Sequence, residues 1–362
     1  MGSTKVVVAM SGGVDSSVAA ALLKERGYDV VGITLRLWSE ARPDLSAHHR
    51  VCCSLDAVDD ARRVCQILGI PHYVLNAEQE FRQYVVDYFT AAYAVGKTPN
   101  PCLACNRFMK FDFLLKRALA FGADYLATGH YARILHDGYG YHLLRGIDPD
   151  KDQSYALYMV GQTELAHLLF PVGEYQKAET RRLAAARDLP VAKKEDSQEI
   201  CFIPDNDYRR FLSERIVSAP GAIVNRAGRI LGRHSGLANY TVGQRKGLGI
   251  ASSEPYYVLE IDPNQNRVVV GRKDELEQGR LHAADASFVS GRPLEGPRRV
   301  AVKARYKAPA VPAIVQPANR GVDVVFDKPQ RAITPGQAVV FYEGEEVLGG
   351  GIIEGYSYGE RL

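Results

Sequence analysis

Six cysteines and one glycine-rich loop are the parts of this 362-residue chain best suited to chemistry. The cysteines are Cys52, Cys53, Cys65, Cys102, Cys105 and Cys201. A thiolate can act as a nucleophile, a sulfur carrier or a metal ligand. In a reducing compartment six thiols do not build a disulfide framework, so they are core groups, metal ligands or reactive groups. Cys65 falls on the apolar face of a helical pattern and reads as core. Cys52-Cys53 reads as core at a helix start, with an entry point for sulfur as the other option. A lone C-x-x-C lacks the second pair of a zinc ribbon, and no matching histidine spacing follows it.

The loop is Ala9-Met10-Ser11-Gly12-Gly13-Val14-Asp15-Ser16-Ser17. A short buried strand precedes it and a helical pattern follows. Such a loop aims backbone N–H groups and a helix N-terminus at an anion. The serines add hydroxyl donors. Asp15 would repel a phosphate directly, so a metal-linked or capping role fits it. The string is neither a Walker A motif, since no Lys-Ser/Thr follows at the required spacing, nor G-x-G-x-x-G.

The elements that must position these groups alternate. Lys5–Met10, Asp29–Leu35, His72–Leu75 and Tyr125–Thr128 read as strands. Ser16–Arg26, Leu55–Leu68, Phe81–Val95 and Phe108–Phe121 read as helices. That order predicts an α/β parallel sheet with helices on both faces. After residue 220 the pattern turns to short strands with turns, among them Tyr256–Ile261, Arg267–Val270, Val300–Ala304, Val322–Phe326 and Ala338–Tyr342. This predicts an all-β second half built as a small barrel or sandwich.

The SGGVDSS string resembles the pyrophosphate loop of the N-type ATP pyrophosphatases, which cleave ATP between the α and β phosphates and adenylate a substrate. Two further strings sharpen the likeness: Gly96-Lys97-Thr98-Pro99-Asn100-Pro101-Cys102-Leu103-Ala104-Cys105-Asn106 and Asp196-Ser197-Gln198-Glu199-Ile200-Cys201-Phe202-Ile203-Pro204. With them the chain resembles the tRNA-specific 2-thiouridylases, which thiolate the wobble uridine of certain tRNAs. Thr128–Tyr131, Lys151–Tyr155, Leu169–Gly173, Gly243–Gly249, Arg305-Tyr306, Thr334–Gln337 and Leu348–Glu354 look like family blocks in family order, so the likeness covers essentially the whole chain.

The resemblance implies a Rossmann-like catalytic domain at 1–205, a basic linker domain at 206–277 and a C-terminal β-barrel at 278–362. It implies ATP bound by Ala9, Met10, Ser11, Gly12, Gly13, Val14, Asp15 and Ser16, with Leu35 and Gly129 framing adenine and ribose. Mg2+ accompanies the phosphates. Asn100, Pro101 and Cys102 would line the pocket of the flipped uridine. His130, Lys151, Asp152, Gln153, Arg305, Tyr306 and Gln337 would contact tRNA.

Replacing a carbonyl oxygen by sulfur requires a leaving group, and adenylation by ATP makes one. A persulfide can supply the sulfur, and a second thiolate releases it by forming a disulfide. The resemblance implies Cys201 as persulfide carrier and Cys105 as the nucleophile that resolves it. One form of the family has Asn-Pro-Asp where this chain has Asn100-Pro101-Cys102, so a third thiol replaces a carboxylate. A second route therefore stays open, in which Cys102, Cys105 and Cys201 hold a [4Fe–4S] cluster whose open iron delivers sulfide. Either route needs a sulfur-donor protein, a cysteine desulfurase or a relay.

Composition bounds the alternatives. Hydrophobic residues make up 46% and charged residues 24%, as in a globular protein and unlike a disordered or collagen-like one. No run reaches the ~18 apolar residues of a membrane span, and the N-terminus lacks a signal or transit pattern, which predicts a cytoplasmic protein. The net charge of +3 hides two basic runs. Residues 209–246 hold Arg209, Arg210, Arg215, Arg226, Arg229, Arg233, Arg245 and Lys246 against Glu214 alone. Residues 292–307 hold Arg292, Arg298, Arg299, Lys303, Arg305 and Lys307 against Glu295 alone. Such runs suit phosphate contacts. The competing functions are a small-molecule-adenylating pyrophosphatase and a non-catalytic RNA-binding protein.

Overall fold

The computed structural model describes residues 3–38, 55–196, 200–203 and 205–355. Cys52 and Cys53 lie outside the described residues, as do Ser197, Gln198, Glu199 and Pro204 of the Cys201 string.

The N-terminal part is a five-stranded parallel sheet in the order His72–Asn76, Asp29–Arg36, Lys5–Ala9, Tyr125–Ala127, Leu168–Leu169. The central strand buries Val6, Val7 and Val8, because helices cover both faces. Chain order reverses beside it, which opens a crevice at its carboxyl end. The phosphate loop leaves from that end, and the turn after Tyr125–Ala127 arrives beside it. Cys65 packs in the helix Leu55–Leu68, where burial pushes its thiol up to about 11.

One helical run starts earlier than its apolar spacing predicts. It begins at Pro101 rather than Phe108 and continues to Ala120. Asn100 caps it, its side-chain oxygen accepting from the Cys102 amide at 3.0 Å, and proline takes the first turn. Both Cys102 and Cys105 therefore stand on a helix. Cys105–Leu114 is π-helical, a rare widening of the turn that often marks functional sites.

Four strands follow, in the order Tyr257–Asp262, Arg267–Gly271, Gly221–Asn225, Ile230–His234. Beyond them six strands run Glu277–Phe288, Gly321–Arg331, Val311–Ala318, Arg298–Lys303, Ala338–Glu343, Glu346–Gly355, and the last pairs with the first to close a barrel. A hairpin of the N-terminal part, Ala132–His136 and Tyr141–Arg145, extends this sheet, with Val347 opposite Leu143. Apolar spacing does not mark that hairpin. One core joins the two parts, holding Val7 and Leu126 together with Tyr342 and Val347. Among the described residues no helix is long and apolar enough to cross a membrane.

Candidate functional site

The loop's own geometry explains its composition. Gly12 has φ +68°, and a Cβ there would overlap the carbonyl of Ala57, so only glycine fits. The Ser16 and Ser17 hydroxyls turn back on the Gly13 carbonyl, at 3.3 and 2.8 Å. The Ser11 amide donates to Ser16 Oγ at 3.2 Å, while Met10 N donates to the Ile33 carbonyl at 2.8 Å. Ala9 ends the strand and Val14 is buried at the helix start. Gly129 closes the other side: a Cβ there would stand 2.6 Å from both the Asp15 carbonyl carbon and the Ser16 nitrogen.

Asp15 is held by side chains from far along the chain. Its carboxylate pairs with Lys177 Nζ at 2.7 and 2.8 Å and accepts from the Tyr131 hydroxyl at 2.9 Å. The same Lys177 ammonium reaches Asp196 at 2.8 Å, where Lys151 and Arg181 also bind at 2.8 Å each. Burial alone would raise the Asp196 carboxyl, but the Lys151 and Lys177 ammonium groups hold it down at about 2. Lys194 ties the Gly12 carbonyl at 2.9 Å to Asp60 at 2.7 Å. Lys177, Arg181, Lys194 and Tyr131 escaped sequence reasoning. They lie far along the chain from the loop, and helical spacing gives no sign of which charges will converge.

Cys105 and Cys201 pack on the rim of a single cluster that buries Phe81, Phe89, Phe202 and Phe211. Leu35, near the end of its strand, packs against the same cluster. Cys102 is exposed, one position beyond buried Pro101. Among the described residues no three His, Cys, Asp or Glu side chains are arranged to hold a metal ion. Cys102, Cys105 and Cys201 thus do not meet as the ligand set of an iron–sulfur cluster in this arrangement.

The residues expected at tRNA divide into those near the surface and those inside. Asp152 is buried, accepting from the Gly146 amide at 3.2 Å and from the Ser154 amide and hydroxyl at 3.0 Å. Gln153 accepts from the Tyr131 amide at 3.0 Å, and Lys151 is the Asp196 partner already described. His130 is buried between Phe111 and Phe170. Gln337 donates to the Thr98 carbonyl at 2.7 Å. Tyr306 is partly exposed and tilts against Tyr155 with centroids 5.8 Å apart. Burial raises its hydroxyl, with Asp152 and Cys102 adding to the effect. Arg305 is exposed.

Carboxylates from outside the basic runs meet several of their arginines. Asp205 binds Arg210, Glu275 binds Arg226 at 3.2 Å, Glu343 binds Arg298 at 2.8 Å and Asp327 binds Arg299. The unneutralised positive surface is therefore smaller than the runs imply.

Three family models match in succession. The tRNA methyl transferase HUP domain matches residues 4–205, the tRNA methyl transferase PRC-barrel domain residues 209–272, and the aminomethyltransferase beta-barrel domain residues 278–353. The chain is 53% identical to the tRNA-specific 2-thiouridylase MnmA of Carboxydothermus hydrogenoformans over 359 residues, 98% of each chain. It is 54% identical to the protein of the same name from Moorella thermoacetica over 353 residues, 96% of this chain and 99% of the other.

Proposed function

The chain belongs to the tRNA-specific 2-thiouridylase family, and we propose that it thiolates a tRNA uridine by adenylating the C2 oxygen and delivering sulfur from a persulfide on Cys201. The observation that carries the sulfur step is the placement of Cys105 and Cys201 on one aromatic cluster bounded by Leu35.

ATP enters at the phosphate loop as its magnesium complex, in which the ion would neutralise phosphate charge. The uracil C2 oxygen attacks the α-phosphorus, pyrophosphate leaves with the bonding electron pair, and N3 loses its proton. The terminal persulfide sulfur on Cys201 then adds to C2, and AMP departs with the C–O pair. Cys105 thiolate attacks Cys201 Sγ. The S–S bond breaks toward the uridine, which retains sulfur and regains its N3 proton, and a Cys105–Cys201 disulfide remains for an external thiol to reduce. A sulfur-donor protein must reload Cys201. Residues 1–205 carry the catalytic groups and the target-base pocket, and the basic middle part 206–277 and the barrel 278–362 add further tRNA contacts.

Mass spectrometry of tRNA nucleosides after incubation with ATP and a sulfur source tests the reading. Wild type should yield 2-thiouridine, while Cys105→Ser and Cys201→Ser should each reduce turnover to background, Cys105→Ser still accepting sulfur on Cys201. Continued turnover by Cys105→Ser would remove it from the resolving role. Pyrophosphate released without tRNA would favour a small-molecule acceptor.

A further inference from the structure

Lys110 stands one turn beyond Cys105 on the same π-helical stretch. Its ammonium donates to Nε2 of His130 at 3.1 Å, and the other ring nitrogen, Nδ1, meets Thr128 Oγ1 at 2.7 Å. With Nε2 accepting, the ring proton sits on Nδ1 and donates to the threonine. Both nitrogens are thereby committed and the ring is fixed. Burial, aided by the Lys110 charge, holds the imidazole well below its usual range, so it is neutral.

A neutral acceptor anchors an ammonium without cancelling its charge. Lys151, Lys177 and Lys194, the other lysines around this crevice, each bind a carboxylate. Lys110 does not: among the described residues its bonded partner is this histidine. The tether also fixes place. His130 follows Gly129, whose Cα packs on the backbone of Asp15 and Ser16. The ammonium is thus tethered from the helix that carries Cys102 and Cys105 to the residue that follows Gly129 beside the phosphate loop.

We propose that Lys110 is a catalytic cation that neutralises the α-phosphate of ATP during attack by the uracil oxygen, and that His130 is its positioning residue. This rests on the 2-thiouridylase reading above. In the step, the new O–P bond forms as the bond from α-phosphorus to the bridging oxygen breaks, and pyrophosphate takes the electron pair. Lys110 gives up no proton; it screens the non-bridging oxygens. A fixed charge aimed at developing charge contributes about 10²–10³-fold.

The full-length protein is assayed with tRNA for pyrophosphate release and, separately, for sulfur loading of Cys201. Lys110→Met should lower kcat for pyrophosphate release about 100-fold, with KM for tRNA within about threefold of wild type and sulfur loading intact. Lys110→Arg should restore about tenfold of that loss. His130→Leu should lower kcat in the same pattern, and His130→Gln, which keeps an acceptor, should recover most of it. A Lys110→Met kcat within about threefold of wild type would overturn the assignment, as would a defect confined to KM for tRNA. A loss shared equally by sulfur loading would show mere misfolding and overturn it as well. Failure of wild type to release pyrophosphate with tRNA would instead sink the 2-thiouridylase reading itself.

Discussion

Lys177 Nζ lies 2.8 Å from Asp196 Oδ1, and the same ammonium lies 2.7 Å from Asp15 of the phosphate loop. One cation therefore fastens the nucleotide loop to the segment that leads into Cys201. Lys151 of the Lys151-Asp152-Gln153 string ties a third loop to this joint.

Lys177→Met should uncouple the two activities. It leaves Asp15 and Asp196 without their common partner, at a cost of about 1.5–3 kcal/mol for lost charged hydrogen bonds. Thiolation kcat should fall more than sulfur loading of Cys201. Chemical denaturation checks the first effect, and paired assays of loading and nucleoside product check the second. An unaltered ratio of the two activities would show that Lys177 carries no coupling.

Acid should loosen the same joint. The Asp196 carboxyl is held at about 2 in the folded chain, below the ~3.9 of an unperturbed aspartate. A depressed carboxyl contributes stability that is complete above the unfolded value and lost as pH falls through the folded one. The stability gap between wild type and Asp196→Asn should therefore be constant above about pH 4 and shrink toward pH 2. Urea unfolding at stepped pH measures it; a gap unchanged across that window contradicts the assignment.

The barrel should govern the Cys102 helix from a distance. Gln337 donates to the Thr98 carbonyl at 2.7 Å, and Thr98 N donates to the Pro335 carbonyl at 2.8 Å. Gly336 has φ +91°, and a Cβ there would stand 2.9 Å from Thr98 N. From the middle part, Ile261 lies against Gly96, where a Cβ would meet its side chain at 2.7 Å. Gly336→Ala should displace this grip, costing about 1–3 kcal/mol through backbone strain and lowering thiolation while ATP binding persists. Parallel loss of ATP binding would place the defect elsewhere.

tRNA binding should weaken steeply with salt. Six or more phosphate contacts predict a fall of about 10³-fold or more between 50 and 200 mM salt. Arg305→Gln should reduce the slope of log affinity against log salt by about one. Filter binding across that range provides the test. An affinity indifferent to salt would leave the basic runs as solvated surface, their charges met by carboxylates such as Glu343 and Asp327.

Local order was legible because it depends on neighbours in sequence. The strand–loop–helix around Gly12 and Gly13 follows from apolar runs and glycine permissiveness, and the α/β-then-all-β division follows from a change of period. The Pro101 helix start was also written in the chain, as an asparagine cap followed by proline, but apolar spacing pointed instead to Phe108. Placement across long separations was not legible. Asp15 and Lys177 are 162 residues apart, and Thr98 and Gln337 are 239 apart. The hairpin at 132–145 has no apolar alternation strong enough to announce it, because its strand partner belongs to the distant barrel.

By itself the sequence determined the residue types available for chemistry, the loop that cradles an anion and the order of elements, all of which rest on local stereochemistry and periodicity. Tertiary structure decided which of those groups meet. Packing brought Cys105 and Cys201 to one aromatic rim, buried His130 so that it holds Lys110 as a neutral partner, and turned Asp15 toward a lysine. The reason is physical: burial and long-range pairing set charge state and partner, and both arise only when the chain closes on itself.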